Sequence, residues 1–293
     1  MYNAIAVNKR NTIFIMAIFV AIISAIGWVV SYLYGGNTSI TYVVIAGAAL
    51  YALVQYFLAS KLAVAMTGAV QIEKRDNPRL YRIVENLAIT LGIPTPKVYV
   101  IDDPAFNAFA TGRDPKHAIV AATTGLIEAM DDNELEAVMA HEMGHVQNYD
   151  IRVSMIAFGL VSAIGLLSDI VLRMMFFGGD RRESNIHPIV LVVGLVVVVL
   201  APIIAVIVQM AVSRQREYLA DASGAMTTRH PEALATALEK LQQSSRPMKR
   251  QGTSTAHLFF ANPLKPGFFS KLFSSHPPLE DRIARLRENA NKF

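Results

Sequence analysis

The chain has 293 residues, of which 53% are hydrophobic and only 17% are charged, and its formal net charge is +4. A composition this apolar is not that of an ordinary soluble protein. The sequence contains no cysteine, which excludes disulfides, thiolate zinc sites and cysteine nucleophiles, so any metal ligand has to be His, Asp or Glu.

Four apolar segments divide the chain, each long enough to cross about 30 Å of hydrocarbon as a helix, and three of them contain no charged residue. These three cover residues 13–34, 40–60 and 189–212. The remaining segment, 154–177, contains Asp169 and Arg173, whose spacing lets them pair on one helical face. We expect this pair to be structural rather than a proton relay, because paired charges are tolerated near the end of a membrane helix. The sequence therefore predicts four transmembrane helices.

The charges that flank these segments indicate their orientation. Lys9 and Arg10 precede the first span, whereas the link at 35–39 carries no charge, which places the N-terminus in the cytosol. If the last two spans form a hairpin, the polar blocks 61–153 and 213–293 both face the cytosol. Basic residues cluster beside the apolar segments, where anionic lipid headgroups attract them. We therefore expect the lipid bilayer as a partner and no nucleic acid, for which the chain has no motif.

The first polar block alternates helix and strand patterns. An amphipathic helix is predicted at 78–93, strands are predicted at 97–102 and 117–122, and FNAFATG (106–112) is a candidate third strand. A D-x-x-E start signal at Asp131 begins the next helix. These patterns predict a small β-sheet with helices around it.

The second polar block is predicted to be helical around one long loop. Pro231 lies at a favourable first-turn position for a helix that extends to about residue 243. Leu279, Ile283 and Leu286 mark the apolar face of another helix. Residues 246–275 are rich in Ser, Pro, Gly and Lys and predict a loop, whose Phe residues would cover a cleft or touch lipid.

The sequence HEMGH, residues 141–145, lies on the helix that the start signal predicts. His141 and His145 are four residues apart, so both imidazoles project from one helical face and can hold one ion. Glu142 lies beside them, where it can take a proton from a metal-activated water. The alternative is an exposed polar helix surface, but apolar residues along the same helix favour a packed one.

A catalytic zinc requires a third protein ligand and one open position. Glu217 and Asp221 in REYLAD are also four residues apart on a predicted helix. Glu217 is the predicted third ligand, and Asp221 is predicted to accept a hydrogen bond from the far nitrogen of a ligating His. The alternative for this pair is a solvated acidic face. The two motifs meet only if the chain between them crosses the membrane an even number of times, as a hairpin does.

Several motifs occur together with the predicted spans. They are NAFATG (107–112), HEMGHVQNYD (141–150), REYLAD (216–221) and SHPPLEDRIARL (275–286). In this combination the chain resembles the HtpX membrane metalloproteases, which belong to the same broad family as the zinc CaaX prenyl endoproteases. The resemblance extends over about residues 10–288.

The resemblance implies a zinc metalloendopeptidase of the bacterial inner membrane. Its active site would face the cytosol, and its substrates would be unfolded or misfolded polypeptides, above all damaged membrane proteins in quality control. One Zn²⁺ per chain would be bound by His141, His145 and Glu217, with Glu142 as the general base.

The resemblance also implies supporting roles for residues outside the two motifs. Asn107 and Ala108 would belong to an edge segment that binds an extended peptide as an added strand, although Asn107 is also a common turn residue. His276 would donate a hydrogen bond to the oxyanion, and is otherwise an ordinary loop histidine. Arg282 is a weaker candidate for such a role, with bracing of its helix as the alternative.

We therefore expect an α+β membrane protein. Four transmembrane helices would carry a mostly helical, gluzincin-like zinc protease domain with a small β-sheet, assembled from two cytosolic segments. The expected divisions are a transmembrane hairpin at 1–66, a catalytic segment at 67–153, a second transmembrane hairpin at 154–212 and a segment with the third zinc ligand at 213–293.

Three other functions agree with parts of the sequence. A membrane scaffold with a structural zinc would normally have four protein ligands rather than three. A transporter would use Asp169 and Gln209 inside the membrane, but the chain has no detectable repeat. A CaaX-type prenyl-peptide hydrolase would share the chemistry but normally has more spans.

Overall fold

The computed structural model describes residues 2–33, 38–156, 159, 214–244, 246–250, 258–261 and 277–290. The helices are α1 (Tyr2–Leu33), α2 (Thr38–Thr67), α3 (Pro78–Leu91), α4 (Thr124–Ala129), α5 (Asp132–Gln147), α6 (Arg214–Thr228), α7 (Pro231–Gln243) and α8 (Leu279–Glu288). The strands are β1 (Val70–Gln71), β2 (Lys97–Ile101), β3 (Ala108–Thr111) and β4 (Ile119–Thr123). Most of the third predicted span, all of the fourth, most of the predicted loop 246–275 and His276 lie outside the described residues.

Two of the described helices are long and apolar enough to cross a membrane. The qualifying stretches are Ile5–Ala25 in α1 and Thr41–Thr67 in α2. The two helices pack against each other, and apolar side chains such as Ile13 (70% exposed) and Val43 (72% exposed) lie on their outer surface. Such a surface suits lipid tails rather than water. The first two predicted spans thus have matching helices, whereas four spans are not confirmed.

Helix α1 begins at Tyr2, well before the predicted start of the first span at residue 13. Its first turns contain polar residues, two of which, Asn8 and Thr12, are only 3% exposed. The span was predicted to start after these residues because polar side chains lower the hydropathy of a segment. Hydropathy carries no information on whether another part of the chain covers them. This polar extension brings α1 into contact with the residues that follow α5, as described below.

The small predicted sheet is present and is mixed. Its strand order is β1-β2-β4-β3, with β2 and β4 parallel and the other two pairs antiparallel. The strand predicted at 117–122 begins at Ile119 instead, because Asp114 caps a short 3₁₀ turn at Pro115–His117. Strand β1 was not predicted, since two residues are too few to show a period of two.

Strands β3 and β4 are buried on both faces of the sheet, and their successive side chains point in opposite directions. Ala108, Ala110 and Val120 belong to the larger core, which also contains residues of α3, α5, α7 and α8. Phe109 and Ala121 face the opposite way, into a second core with residues of α1 and α2. The sheet therefore connects the two apolar helices to the helices that carry the sequence motifs.

Helix α5 begins at the predicted start signal. The side chain of Asp131 accepts a hydrogen bond from the N–H of Glu134 (2.9 Å), and the carboxylate of Glu134 accepts one from the N–H of Asp131 (2.8 Å). The predicted D-x-x-E signal is thus confirmed as a capping box. Lys240 of α7 also binds the Glu134 carboxylate, at 2.5 Å. The first turn of the HEMGH helix is therefore held from two sides.

Replacing Asp131 with Ala is expected to lower the free energy of unfolding by about 1 kcal/mol, because the N–H of Glu134 loses its partner. Thermal unfolding of the detergent-solubilised protein would measure the change. Asn133→Ala is the matched control, since Asn133 is an exposed residue of the same turn. Equal midpoints for Asp131→Ala and the parent would show that the cap does not stabilise α5.

Candidate metal centre

Helix α5 brings the two histidines of the motif together, one turn apart. His141 is completely buried, and the His145 side chain is 14% exposed. Their Nε2 atoms are 3.2 Å apart. Because the i,i+4 spacing places both rings on one helical face, these two nitrogens point to the same small volume.

Glu217 of α6 completes the cluster. One oxygen of its carboxylate lies 3.5 Å from Nε2 of His145, and the other lies 3.7 Å from Nε2 of His141. The three candidate ligand atoms all lie within 4.8 Å of one another. The predicted ligands are therefore adjacent, although their binding of an ion stays a prediction.

Helices α5 and α6 can approach this closely because glycines lie at their contact. A Cβ at Gly224 would lie 3.1 Å from the main-chain nitrogen of His141. On the other helix, a Cβ at Gly144 would lie 2.8 Å from Oγ of Ser223 and 3.7 Å from Cα of Ala220. The distance between Glu217 and the histidines thus depends on the lack of side chains at this contact.

A carboxylate lies behind each histidine. Asp221 Oδ1 is 2.9 Å from Nδ1 of His141, and Asp150 Oδ2 is 3.1 Å from Nδ1 of His145. Each carboxylate accepts the Nδ1–H of its ring, which fixes the tautomer that leaves a lone pair on Nε2. Asp221 thus lies where the sequence placed it. Asp150 was missed, although it follows His145 by only five residues in HEMGHVQNYD.

These residues fit a bound zinc ion. Two imidazole nitrogens and a carboxylate converge, an arrangement that suits a bound cation. A tetrahedral Zn²⁺ with bonds of 2.0–2.1 Å separates its ligand atoms by about 3.3 Å. The two Nε2 atoms are 3.2 Å apart, and with one ligand atom from each residue, Glu217 included, all three atoms lie within 4.8 Å of one another. Among the described residues, only these three are grouped as metal ligands, which leaves the open position of a catalytic site.

The pKa values of the two histidines are displaced in opposite directions. Burial lowers the pKa of His141 to about 4, against the opposing hydrogen bond to Asp221. Burial also acts to lower the pKa of His145, but the hydrogen bond to Asp150 and the charges of Glu217, Asp150 and Glu142 outweigh it and raise this pKa to about 9. These displacements make His145 the ring that carries the additional proton at neutral pH. A bound metal ion would take the place of that proton.

Arg282 of α8 is a further member of the site, and it does more than brace its helix. It is completely buried and donates two hydrogen bonds to Asp221, from Nε (2.9 Å) and Nη2 (2.6 Å). Burial acts to raise the pKa of Asp221, but the Arg282 charge and the hydrogen bonds from His141 and Arg282 lower it to about 2. Asp221 is therefore ionised when it accepts the Nδ1–H of His141.

Glu142 is buried, at 3% exposure, and follows His141 directly on α5. Its charge contributes to the raised pKa of His145, which reflects a carboxylate near the metal ligands. Its role as the general base stays a prediction.

The predicted peptide-binding edge is paired with the chain itself. Asn107 donates to the main-chain oxygen of Ala261 (2.8 Å) and accepts from its N–H (3.0 Å), while the N–H of Phe260 donates to the main-chain oxygen of Ala108 (2.8 Å). The ring of Phe260 packs edge-on against His141, with centroids 4.9 Å apart. Phe260 belongs to the predicted loop 246–275, whose Phe residues are expected to cover a cleft or touch lipid, but the sequence does not single it out, because its contact with His141 joins distant parts of the chain. The substrate-binding roles of Asn107 and Ala108 stay predictions, as does the role of His276.

Comparison with known proteins gives one consistent result. Residues 74–290 match the family model of peptidase family M48. The chain is 57% identical over 293 residues, all of both chains, to a protein named protease HtpX homolog from Tropheryma whipplei strain Twist. It is 44% identical over 299 residues, 98% of this chain and 99% of the relative, to a protein of the same name from Streptococcus pneumoniae strain Hungary19A-6.

A solved structure shows a similar fold. The crystal structure of S. mikatae Ste24p superposes with a TM-score of 0.52 at 20% sequence identity and covers 98% of this chain and 67% of that one. At this identity the likeness concerns the fold alone.

Proposed function

This chain belongs to peptidase family M48 and is a membrane metalloprotease, and from that premise we propose that it is a zinc endopeptidase of the bacterial cell membrane that cleaves misfolded or damaged membrane proteins. His141, His145 and Glu217 bind the ion, and Glu142 is the catalytic base. One observation supports the proposal: two histidines, each held by a carboxylate, and a glutamate present their ligand atoms within 4.8 Å of one another.

Each residue of the site has a distinct task in peptide hydrolysis. The ion, when bound, polarises the peptide carbonyl and makes a water molecule more acidic. Glu142 takes a proton from that water and passes it to the leaving amine. Asp221 and Asp150 hold the two imidazoles in orientation through their Nδ1–H groups. The buried position of His141, under the ring of Phe260, keeps bulk water away from this side of the site.

The proposed substrate is an extended polypeptide that pairs with the outer edge of β3. The amide of Asn107 and the main-chain oxygen of Ala108 already bind main-chain groups of another segment of the chain, residues 260 and 261. This pairing supports the proposal that these groups can hold a peptide main chain. A substrate strand would bind there only by displacing that segment, so an unfolded polypeptide is a better substrate than a folded one.

The proposed topology has four spans, with the catalytic residues on the cytosolic side. Lys9 and Arg10 near the start of α1 support a cytosolic N-terminus. The contact between α5 and α6 supports a second hairpin at 154–212, because the two helices that flank this region lie side by side. The divisions 1–66, 67–153, 154–212 and 213–293 belong to the same proposal.

Removal of the metal is expected to abolish cleavage. The parent protein, purified in detergent, would be incubated with 1,10-phenanthroline and assayed on unfolded casein, with bound zinc measured by atomic absorption. Activity should fall to background as zinc is lost and return when Zn²⁺, but not Mg²⁺, is added, because imidazole ligands suit zinc. Undiminished cleavage by protein without zinc would refute the proposed function.

A further inference from the structure

A polar side chain of the first apolar helix reaches the residues that follow α5. Asn8 of α1 is buried, and its Nδ2 group donates two hydrogen bonds. One goes to the main-chain oxygen of Asn148 (2.9 Å) and the other to Oδ1 of Asp150 (2.6 Å). An amide NH₂ has two hydrogens, so both donors of Asn8 are used on one turn of the chain.

This turn is an unusual piece of backbone. Tyr149, between the two partners of Asn8, has a positive φ of 63°, a conformation that costs energy for a residue with a Cβ. The ammonium group of Lys9, the next residue of α1, lies 4.6 Å from the centre of the Tyr149 ring. Two neighbouring residues of α1 therefore hold three consecutive residues of the turn.

The turn positions the carboxylate that binds His145. Oδ2 of Asp150 accepts the Nδ1–H of His145, and Oδ1 of the same carboxylate is the atom that Asn8 holds. Arg216 of α6 approaches Oδ1 less closely, with Nε at 3.7 Å. Fixing one oxygen of a carboxylate fixes the direction of the other, so the orientation of the His145 ring depends on Asn8.

We propose that Asn8 is a positioning residue for the metal site: it holds Asp150 so that His145 presents Nε2 to the ion. Through this residue the first apolar helix becomes part of the metal centre. The proposal rests on the proposed role of His145 as a zinc ligand and extends it to a residue outside the matched family region, residues 74–290. The amide is suited to this task, because one N–H holds the carboxylate of Asp150 and the other holds the main-chain oxygen of Asn148, without adding a charge.

Zinc affinity distinguishes this role from a purely structural one. In the Asn8→Leu variant, the carboxylate of Asp150 loses its closest donor on Oδ1. We expect zinc to bind about 10-fold more weakly, the lower end of the range for groups behind a ligating histidine. The dissociation constant would be measured on the folded, full-length protein in detergent by competition with a chromogenic chelator, and cleavage of casein would be measured at saturating zinc.

Thr12→Val is the matched control. Thr12 lies one turn further along α1, is equally buried, and donates to the main-chain oxygen of Asn8 within its own helix (2.9 Å). The Thr12→Val protein should bind zinc with the same affinity as the parent. A drop in affinity as large as that of Asn8→Leu would show that any buried polar residue of α1 has this effect, and would overturn the proposal.

A double-mutant cycle with Asp150→Ala tests the route. If Asn8 acts through Asp150, then Asn8→Leu changes the zinc affinity of the Asp150→Ala protein by less than about two-fold. Additive effects would overturn the proposal, as would a parent-like affinity in Asn8→Leu alone. If Asn8→Leu does not fold, Asn8→Ser takes its place, because one hydroxyl donor cannot bind both the main-chain oxygen of Asn148 and the carboxylate of Asp150. A parent-like zinc affinity of Asn8→Ser would likewise overturn the proposal. A parent that binds no zinc would overturn the proposed function as well.

Discussion

The Glu142→Gln protein is expected to bind zinc as the parent does, at about one ion per chain, and to lose nearly all peptide cleavage. Glutamine has almost the same shape as glutamate but cannot accept a proton at neutral pH. Because Glu142 is proposed to handle the proton both of the water and of the leaving amine, we expect a loss near the upper end of the range for acid–base catalysis, about 10⁴-fold.

Two measurements on the same preparation test this prediction: cleavage of unfolded casein and zinc content by atomic absorption. Glu136→Gln is the control, since it makes the same change on the same helix at a partly exposed position. If Glu142→Gln cleaves at the parent rate, Glu142 is not the base. If it loses its zinc, Glu142 acts on the ion instead. A parent that holds zinc and cleaves nothing would favour the membrane scaffold.

The Arg282→Met protein is expected to be less stable than the parent by about 3–5 kcal/mol, because the substitution leaves the carboxylate of Asp221 buried without its charged partner. Methionine fills much of the same volume, so the loss is mainly electrostatic. Without Arg282, the carboxylate of Asp221 is no longer held in one direction and orients the ring of His141 less well. We therefore expect the affinity for zinc to fall as well.

Thermal unfolding and zinc titration would measure the two effects. Arg285→Met is the control, because Arg285 is an exposed residue of the same helix that lies over the ring of Tyr218, 4.0 Å from its centre. The double variant Arg282→Met/Asp221→Leu provides a second comparison. It should be more stable than Arg282→Met alone, since removing both charges leaves none unpaired. A single variant as stable as the parent would show that the buried pair contributes little.

The features that the sequence predicted are those encoded within a few neighbouring residues. The start of α5 directly after Asp131 follows from a capping box of four residues, and the pairing of His141 with His145 follows from one helical turn. Glu217 was identified because zinc needs a third ligand, although only the fold shows that α6 packs beside α5.

The features that were missed depend on contacts between distant parts of the chain. Arg282 meets Asp221 only because α8 packs against α6, and nothing near Arg282 in the sequence indicates a buried charge. Asn8 lies before an apolar segment, where hydropathy marks it as the end of a span rather than as a partner of Asp150. The covering of the β3 edge by Phe260 also follows from tertiary pairing, since an unpaired edge and a paired edge have the same sequence pattern.

Gly224 offers no atom to a metal, yet it bears on the proposed metal binding through the packing of α6 against α5. A methyl group there would meet the main chain of His141 at 3.1 to 3.3 Å, closer than ordinary contacts, so α6 would have to move away by a few tenths of an ångström. Zinc–ligand distances vary by only about 0.2 Å between sound sites. The shift that a methyl group would force on α6 is therefore about as large as the tolerated variation in zinc–ligand distances. Gly224 contributes free volume at the contact between α5 and α6. That volume sets the distance between Glu217 and the two histidines, on which the proposed zinc binding depends.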